Sequence, residues 1–171
     1  MKDHACDEYI KTLPRKRVAA GVLLRDGDDR VVLVEPTYKD NWEIPGGVVE
    51  ADESPWSAAE RELKEELGIV RRNMPVLVVD YVTGAPDGMP EGLLWIFDGG
   101  MLSAEERRTL RVFDDEVRSV ELLSIEEAVK KTKPSLARRL RVALTSVLDD
   151  KRTTVCCDQG EPRKVLERLS A

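Results

Sequence analysis

Three glutamates, Glu62, Glu65 and Glu66, fall within five residues of one another. On a helix turning by about 100° per residue they project over an arc of roughly 100°. Glu62 and Glu66 are then stacked one turn apart, a like-charge pair that costs an exposed helix a few tenths of a kcal/mol and more when partly buried. Folding has no use for that repulsion. A divalent cation turns it into attraction, and Mg²⁺ or Mn²⁺ prefers hard oxygen ligands of this type. The plainer reading is a solvated acidic face balanced by Arg61 or Lys64. The Gly46-Gly47 pair upstream favours the cation, because glycines let backbone amides and carbonyls come close to a metal or a phosphate.

The elements that would carry these side chains are well marked. Ser54 can cap the first free amides of a helix, and Pro55 occupies its first position, where a missing N–H costs nothing. Gly68 can take the left-handed conformation that ends it. Trp56, Ala59, Leu63 and Leu67 form one stripe, predicted to face a core. The glutamates flank that stripe.

Spacing extends the pattern. Five residues separate Gly47 from Glu53, seven separate Glu53 from Arg61, and Arg61-Glu62-Leu63-Lys64-Glu65-Glu66-Leu67-Gly68-Ile69 follows without a break. This stretch resembles the Nudix box, G-x5-E-x7-R-E-U-x-E-E-x-G-U with U a bulky aliphatic residue, at every defined position. The resemblance implies an α/β fold in which a mixed sheet lies between helices (α/β/α). It implies Mg²⁺-dependent hydrolysis of a diphosphate bond in a nucleoside diphosphate linked to another moiety, with Mn²⁺ as a possible substitute. Glu65 and Glu66, with the Gly46 carbonyl, would be the direct metal ligands. Glu62 would orient or deprotonate the attacking water and touch a metal. Glu53 would be an auxiliary carboxylate, and Arg61 would hold a carboxylate in place. Members of the family often recruit an acid from outside the box. Asp114, Asp115 and Glu116 are the candidates here, and Glu116 is favoured because it is expected to open a strand.

Two alternatives stand beside this reading. One is a non-catalytic Nudix-like module that binds a nucleotide or regulates, although such modules usually show an eroded box. The other is an isomerase of isoprenoid diphosphates on the same fold, which needs a thiol in the core. Cys6 falls in the N-terminal arm and Cys156-Cys157 in the predicted tail. Among hydrolases, ADP-ribose enzymes resemble one another in a proline past the box, and Pro86 lies near that distance but not on it. Tyr81 comes too early for a dinucleoside-polyphosphate enzyme, and no coenzyme A motif precedes the box. An oxidised or ordinary nucleoside triphosphate stays open.

Composition narrows the classes. The chain has 171 residues and a net charge of −6, which fits one domain with a sizeable core. An acidic chain lacks the basic face that grips a nucleic-acid backbone. No run of about 18 apolar residues exists to span a membrane, and residues 1 to 16 contain no apolar stretch of a signal peptide. The odd, partly adjacent cysteines fit reduced thiols and a cytoplasmic location. The expected partner is a small nucleoside diphosphate derivative, with no nucleic acid and no membrane, and the protein is expected to be a monomer or homodimer.

Along the chain, residues 1–14 form an arm carrying the one histidine, His4. Residues 15–148 form the domain, and 149–171 a polar tail with a helix from Pro162 to Leu169. Strands are predicted from Arg17 to Arg25 and from Arg30 to Glu35 as a hairpin, at Trp42 to Pro45, Met74 to Val82, Leu93 to Phe97 and Phe113 to Leu122. Trp42, Tyr81, Trp95 and Phe97 are expected in the core. The Gly/Pro loop from Thr83 to Gly92 is the expected place for substrate selection. Helices are predicted at Ser103 to Arg108, Ser124 to Lys131 and Pro134 to Leu148, the last with Arg138, Arg139 and Arg141 toward solvent.

Overall fold

The structure, a computed structural model, describes residues 9–85, 88–149 and 153–163. His4, Cys6 and Pro86 lie outside the described residues, as does most of the predicted helix from Pro162 to Leu169.

Two continuous apolar runs set the middle of the fold: β1 (Arg17–Arg25) and β2 (Val31–Pro36). Such runs, uncharged from Val18 to Leu24 and from Val31 to Val34, belong to strands covered on both faces. Val22, Leu24, Val32 and Val34 point to one side, where Ala58, Ala59, Leu63 and Leu67 meet them. Leu23, Val31 and Leu33 point to the other, against Ala128, Leu136, Leu140 and Ala143. The sheet is therefore the middle of three layers, with α1 (Pro55–Leu67) on one face and α3 (Ile125–Lys131) and α4 (Pro134–Leu148) on the other.

The remaining strands are β3 (Gly46–Val48), β4 (Val76–Val82), β5 (Gly92–Met101), β6 (Val117–Leu123), β7 (Val155–Asp158) and β8 (Glu161–Pro162), and a short α2 (Ala104–Thr109) follows β5. The order is β6-β2-β1-β5-β4-β7-β8, with β3 also paired to β1. β1 runs parallel to β5 and antiparallel to β2 and β3, so the sheet is mixed. Pairing of Ala20 with Gly47 and Gly21 with Gly46 brings the glycine turn onto the sheet beside α1.

The expectations for the tail and for Arg139 need correction. Residues 155–162, read as part of a polar tail, form a hairpin whose β7 pairs in parallel with β4. Cys157 is thereby buried in the core on the face away from α1, and burial pushes its thiol up to about 11. Arg139, predicted to face solvent, is also buried: its Nε lies 2.5 Å from Oδ2 of the fully buried Asp80. The Gly160 amide donates to the other Asp80 oxygen at 3.0 Å. The hairpin and α4 thus close over one carboxylate, a long-range contact that helical periodicity cannot register.

The aromatics divide. Trp42 and Phe97 are buried, whereas Trp56 is 43% exposed. Trp56 leaves the predicted stripe at the edge of the layer and packs against Trp95, with ring centroids 5.2 Å apart. Ala58 takes up the buried position beside Ala59 instead. Tyr81 is half-buried and donates from its hydroxyl to Glu91, which also pairs with Lys16 at the foot of the 83–92 loop.

Candidate active site on the acidic helix

The site begins with the start and stop signals of α1. Ser54 Oγ accepts the Ser57 amide at 3.1 Å, Pro55 opens the helix, and Gly68 ends it at φ 67° with its amide on Lys64 O at 2.9 Å. With the termini fixed, Leu63 and Leu67 face the sheet and the glutamates flank them.

Glu66 reaches furthest in. It is only 9% exposed, and one of its oxygens accepts the Gly46 amide at 2.9 Å. Gly46 holds φ 145°, and a Cβ there would strike the Ala20 carbonyl, so the turn demands glycine. Burial first, and then the negative charges of Glu62, Asp114 and Glu116, push the Glu66 carboxyl up to about 8. No basic side chain among the described residues pairs with it.

Glu62 is half-buried, and burial raises its carboxyl above the usual range despite a 2.9 Å bond from Arg61 Nη1. A Cβ at Gly47 would collide with the Glu62 carboxylate, which explains the second glycine of the turn. Arg61 is the hub of the outer cluster. It makes a bidentate pair with Glu53, at 2.9 and 3.0 Å, and the same Nη1 reaches Glu65 at 3.0 Å. Glu53 also accepts the Glu50 amide, and its carboxyl is held below the ordinary range, chiefly by Arg61. Glu65 is half in solvent.

The predicted residues of the box therefore come together, with Glu53, Arg61, Glu62 and Glu65 in one ion-pair network and Glu66 on the glycine turn beside it. Glu116 does not open a strand. β6 begins at Val117, and Glu116 is exposed in the preceding turn, its amide on Asp114 Oδ1 at 2.8 Å and its carbonyl bonded by the Thr37 amide at 2.8 Å. Asp114 stands near Glu66 as well, a second acid that strand-based reasoning placed after Glu116. Among the described residues, no three acidic side chains already converge as a closed metal cage.

The arrangement nonetheless fits a hard divalent cation. A buried carboxylate surrounded by carboxylates and lacking a basic partner carries negative potential that burial makes costly. All the available donors are oxygens.

A mixed sheet between helices, crossed by this acidic helix and its glycine turn, defines the class. A model of the NUDIX domain matches residues 15–143, and the chain belongs to that family. The MutT-like protein of Streptomyces ambofaciens is 36% identical over 75 residues, 44% of this chain and 44% of that protein. Diphosphoinositol polyphosphate phosphohydrolase 2 of Rattus norvegicus is 43% identical over 56 residues, 32% of this chain and 31% of that protein. The matches thus span less than half the length of these curated relatives. The NUDIX domain of Shewanella oneidensis NrtR, solved with ADP ribose, superposes with a TM-score of 0.65 over 82% of this chain and 97% of that chain, at 16% identity, which speaks for the fold. Among the described residues no helix is long and apolar enough to cross a membrane.

Proposed function

We propose that this chain hydrolyses a diphosphate bond in a nucleoside diphosphate linked to another moiety, in a Mg²⁺-dependent reaction. One observation carries the reading: Glu66 is buried beside Glu62, Asp114 and Glu116 on a glycine turn, with no basic partner. The named activity of the rat relative and the ADP ribose held by the Shewanella domain agree with a phosphoric anhydride as substrate.

Glu65, Glu66 and the Gly46 carbonyl would hold the ion, with Glu62 and Glu116 as further ligands. A bound Mg²⁺ supplies Lewis-acid polarisation and neutralises diphosphate charge. The chain's own residues do the positioning. Arg61, pinned by Glu53, fixes the outer carboxylates through charge-assisted bonds. Glu62 has a carboxyl whose proton affinity is raised by burial, and it receives the proton of the attacking water. Little covalent work is left to the protein beyond orientation and electrostatics.

The test is phosphate and nucleotide release from ADP-ribose, NADH, a dinucleoside polyphosphate, and normal and oxidised dGTP. Each is run with and without Mg²⁺, for the wild type and for Glu65→Gln. Mg²⁺-dependent cleavage that disappears in the variant is the expected result. Failure of Mg²⁺ and Mn²⁺ to bind would remove the hydrolase reading.

A further inference from the structure

A cleft of about 570 Å³ opens at the C-terminal end of α1, where the helix meets the segment between α2 and β6. Its size falls in the range of roughly 300–1,000 Å³ typical of small-molecule sites. Leu67, Val70 and Phe113 give it an apolar lining, and Arg108 and Arg111 bring positive charge. Val70 is 57% exposed and Phe113 is 55% exposed, so both present apolar surface to water.

Charge distinguishes this cleft from the rest of an acidic chain. The Arg111 guanidinium stands 4.7 Å from the centre of the Phe113 ring and has no carboxylate partner among the described residues. Arg108 pairs with Glu105 in a surface i,i+3 contact, which an incoming anion can displace at small cost. The acid in the cleft wall, Glu106, is already engaged by Arg71 through bonds of 2.7 and 3.0 Å. A half-exposed aromatic ring, stacked with a guanidinium that has no carboxylate partner among the described residues, suits a ligand with a planar ring and an anionic group.

The cleft is joined to the acidic cluster. The Phe113 amide donates to the Glu66 carbonyl at 2.9 Å, and the next residue, Asp114, is one of the acids acting on Glu66. The Phe113 ring lies over Gly68, where a Cβ would collide with it. The glycine that ends the helix therefore also seats the aromatic.

We infer that this cleft binds a nucleoside monophosphate unit, the base against Phe113 and the phosphate on Arg111 and Arg108, and holds the part of the substrate beyond the bond that is cut. The second clause rests on the hydrolase reading, whereas the binding does not.

The test separates the two. Equilibrium dialysis of the whole protein in EDTA measures AMP, adenosine and inorganic phosphate, for the wild type, Arg111→Gln and Phe113→Ala. AMP is expected to bind more tightly than either fragment, and each substitution to weaken it about ten-fold, the scale of one base stack or one charged contact. Arg111 is exposed and belongs to neither core cluster, so its replacement spares the core and a folding defect in Phe113→Ala leaves the test standing. Failure of AMP to bind, or equal binding by the wild type and Arg111→Gln, overturns the site. With substrate, KM is expected to rise about ten-fold in Arg111→Gln with kcat nearly unchanged. Turnover with an unchanged KM removes the substrate-end clause and leaves the hydrolase. AMP binding through Arg111, with no turnover of any diphosphate by the wild type, leaves the binding site and removes both the hydrolase reading and the substrate-end clause.

Discussion

Asp80 and Glu66 are both buried carboxylates, and their surroundings are opposite. Asp80 is fully buried and receives Arg139 at 2.5 Å and the Gly160 amide at 3.0 Å. Glu66 is nearly as buried and receives the Gly46 amide, while Glu62, Asp114 and Glu116 add negative charge around it. Asp80 is compensated within the chain and joins α4, β4 and the C-terminal hairpin. Glu66 has one backbone amide and no basic side chain among the described residues to compensate it. A buried charge with its partner in place serves the fold; one kept without a partner points to a ligand.

The sharpest way to break the comparison is to remove the compensated charge. Asp80→Ala strands Arg139 in the core and is expected to cost 3 to 5 kcal/mol, roughly, in urea unfolding. The double replacement Asp80→Leu with Arg139→Met is expected to be close to neutral, since a pair of apolar groups needs no compensation. A mild effect of the single change would place Asp80 outside the structural class.

Glu66→Gln should do the reverse. Turnover is expected to fall about 100- to 1,000-fold, the scale of one lost electrostatic contact in an active site. The melting temperature of the metal-free protein is expected to hold or rise. A variant that loses stability as Asp80→Ala does would erase the distinction.

The pH dependence sharpens it further. A carboxyl raised to about 8 binds more protons in the folded state than in the unfolded one between about pH 4.5 and 8. Its contribution to stability is therefore present at low pH and lost as pH rises through that window. Denaturant titrations of the metal-free protein at pH 5 and pH 8 are expected to differ by roughly 3 kcal/mol from this group. Mg²⁺ at pH 8, or the Glu66→Gln change, should flatten the difference.

Glu106 gives the smallest effect and the opposite sign. Arg71 holds its carboxyl down at about 2. Its stabilisation is present above the unfolded value near 4.5 and is lost as pH falls toward 2. Glu106→Gln is expected to cost about 1 kcal/mol at pH 7 and nothing measurable at pH 2.

Much of the candidate site was legible because its signals are local. Ser54, Pro55 and Gly68 bound α1, and 3.6-residue periodicity placed Glu62, Glu65 and Glu66 beside the apolar stripe. The capping serines at 103 and 124 likewise marked α2 and α3, each closed by a full capping box. The segment after α2 was harder. Glu116 was favoured as the start of a strand, yet the chain turns at Asp114 and the strand waits until Val117. Phe113 looked like the first residue of that strand and instead covers the end of α1.

The sequence by itself determined the acidic helix, its glycine turn and the hydrophobic faces of the strands, because caps, periodicity and glycine conformation act over a few residues. Only the tertiary structure decided which charges are neutralised. Arg139 sits in a row of arginines that reads as a solvated face until β4 brings Asp80 beneath it, 59 positions away in the chain. Cys157 and Gly160 read as tail until the hairpin pairs with β4. Long-range pairing sets the local dielectric and the nearest counter-charge, and no stretch of sequence contains both partners.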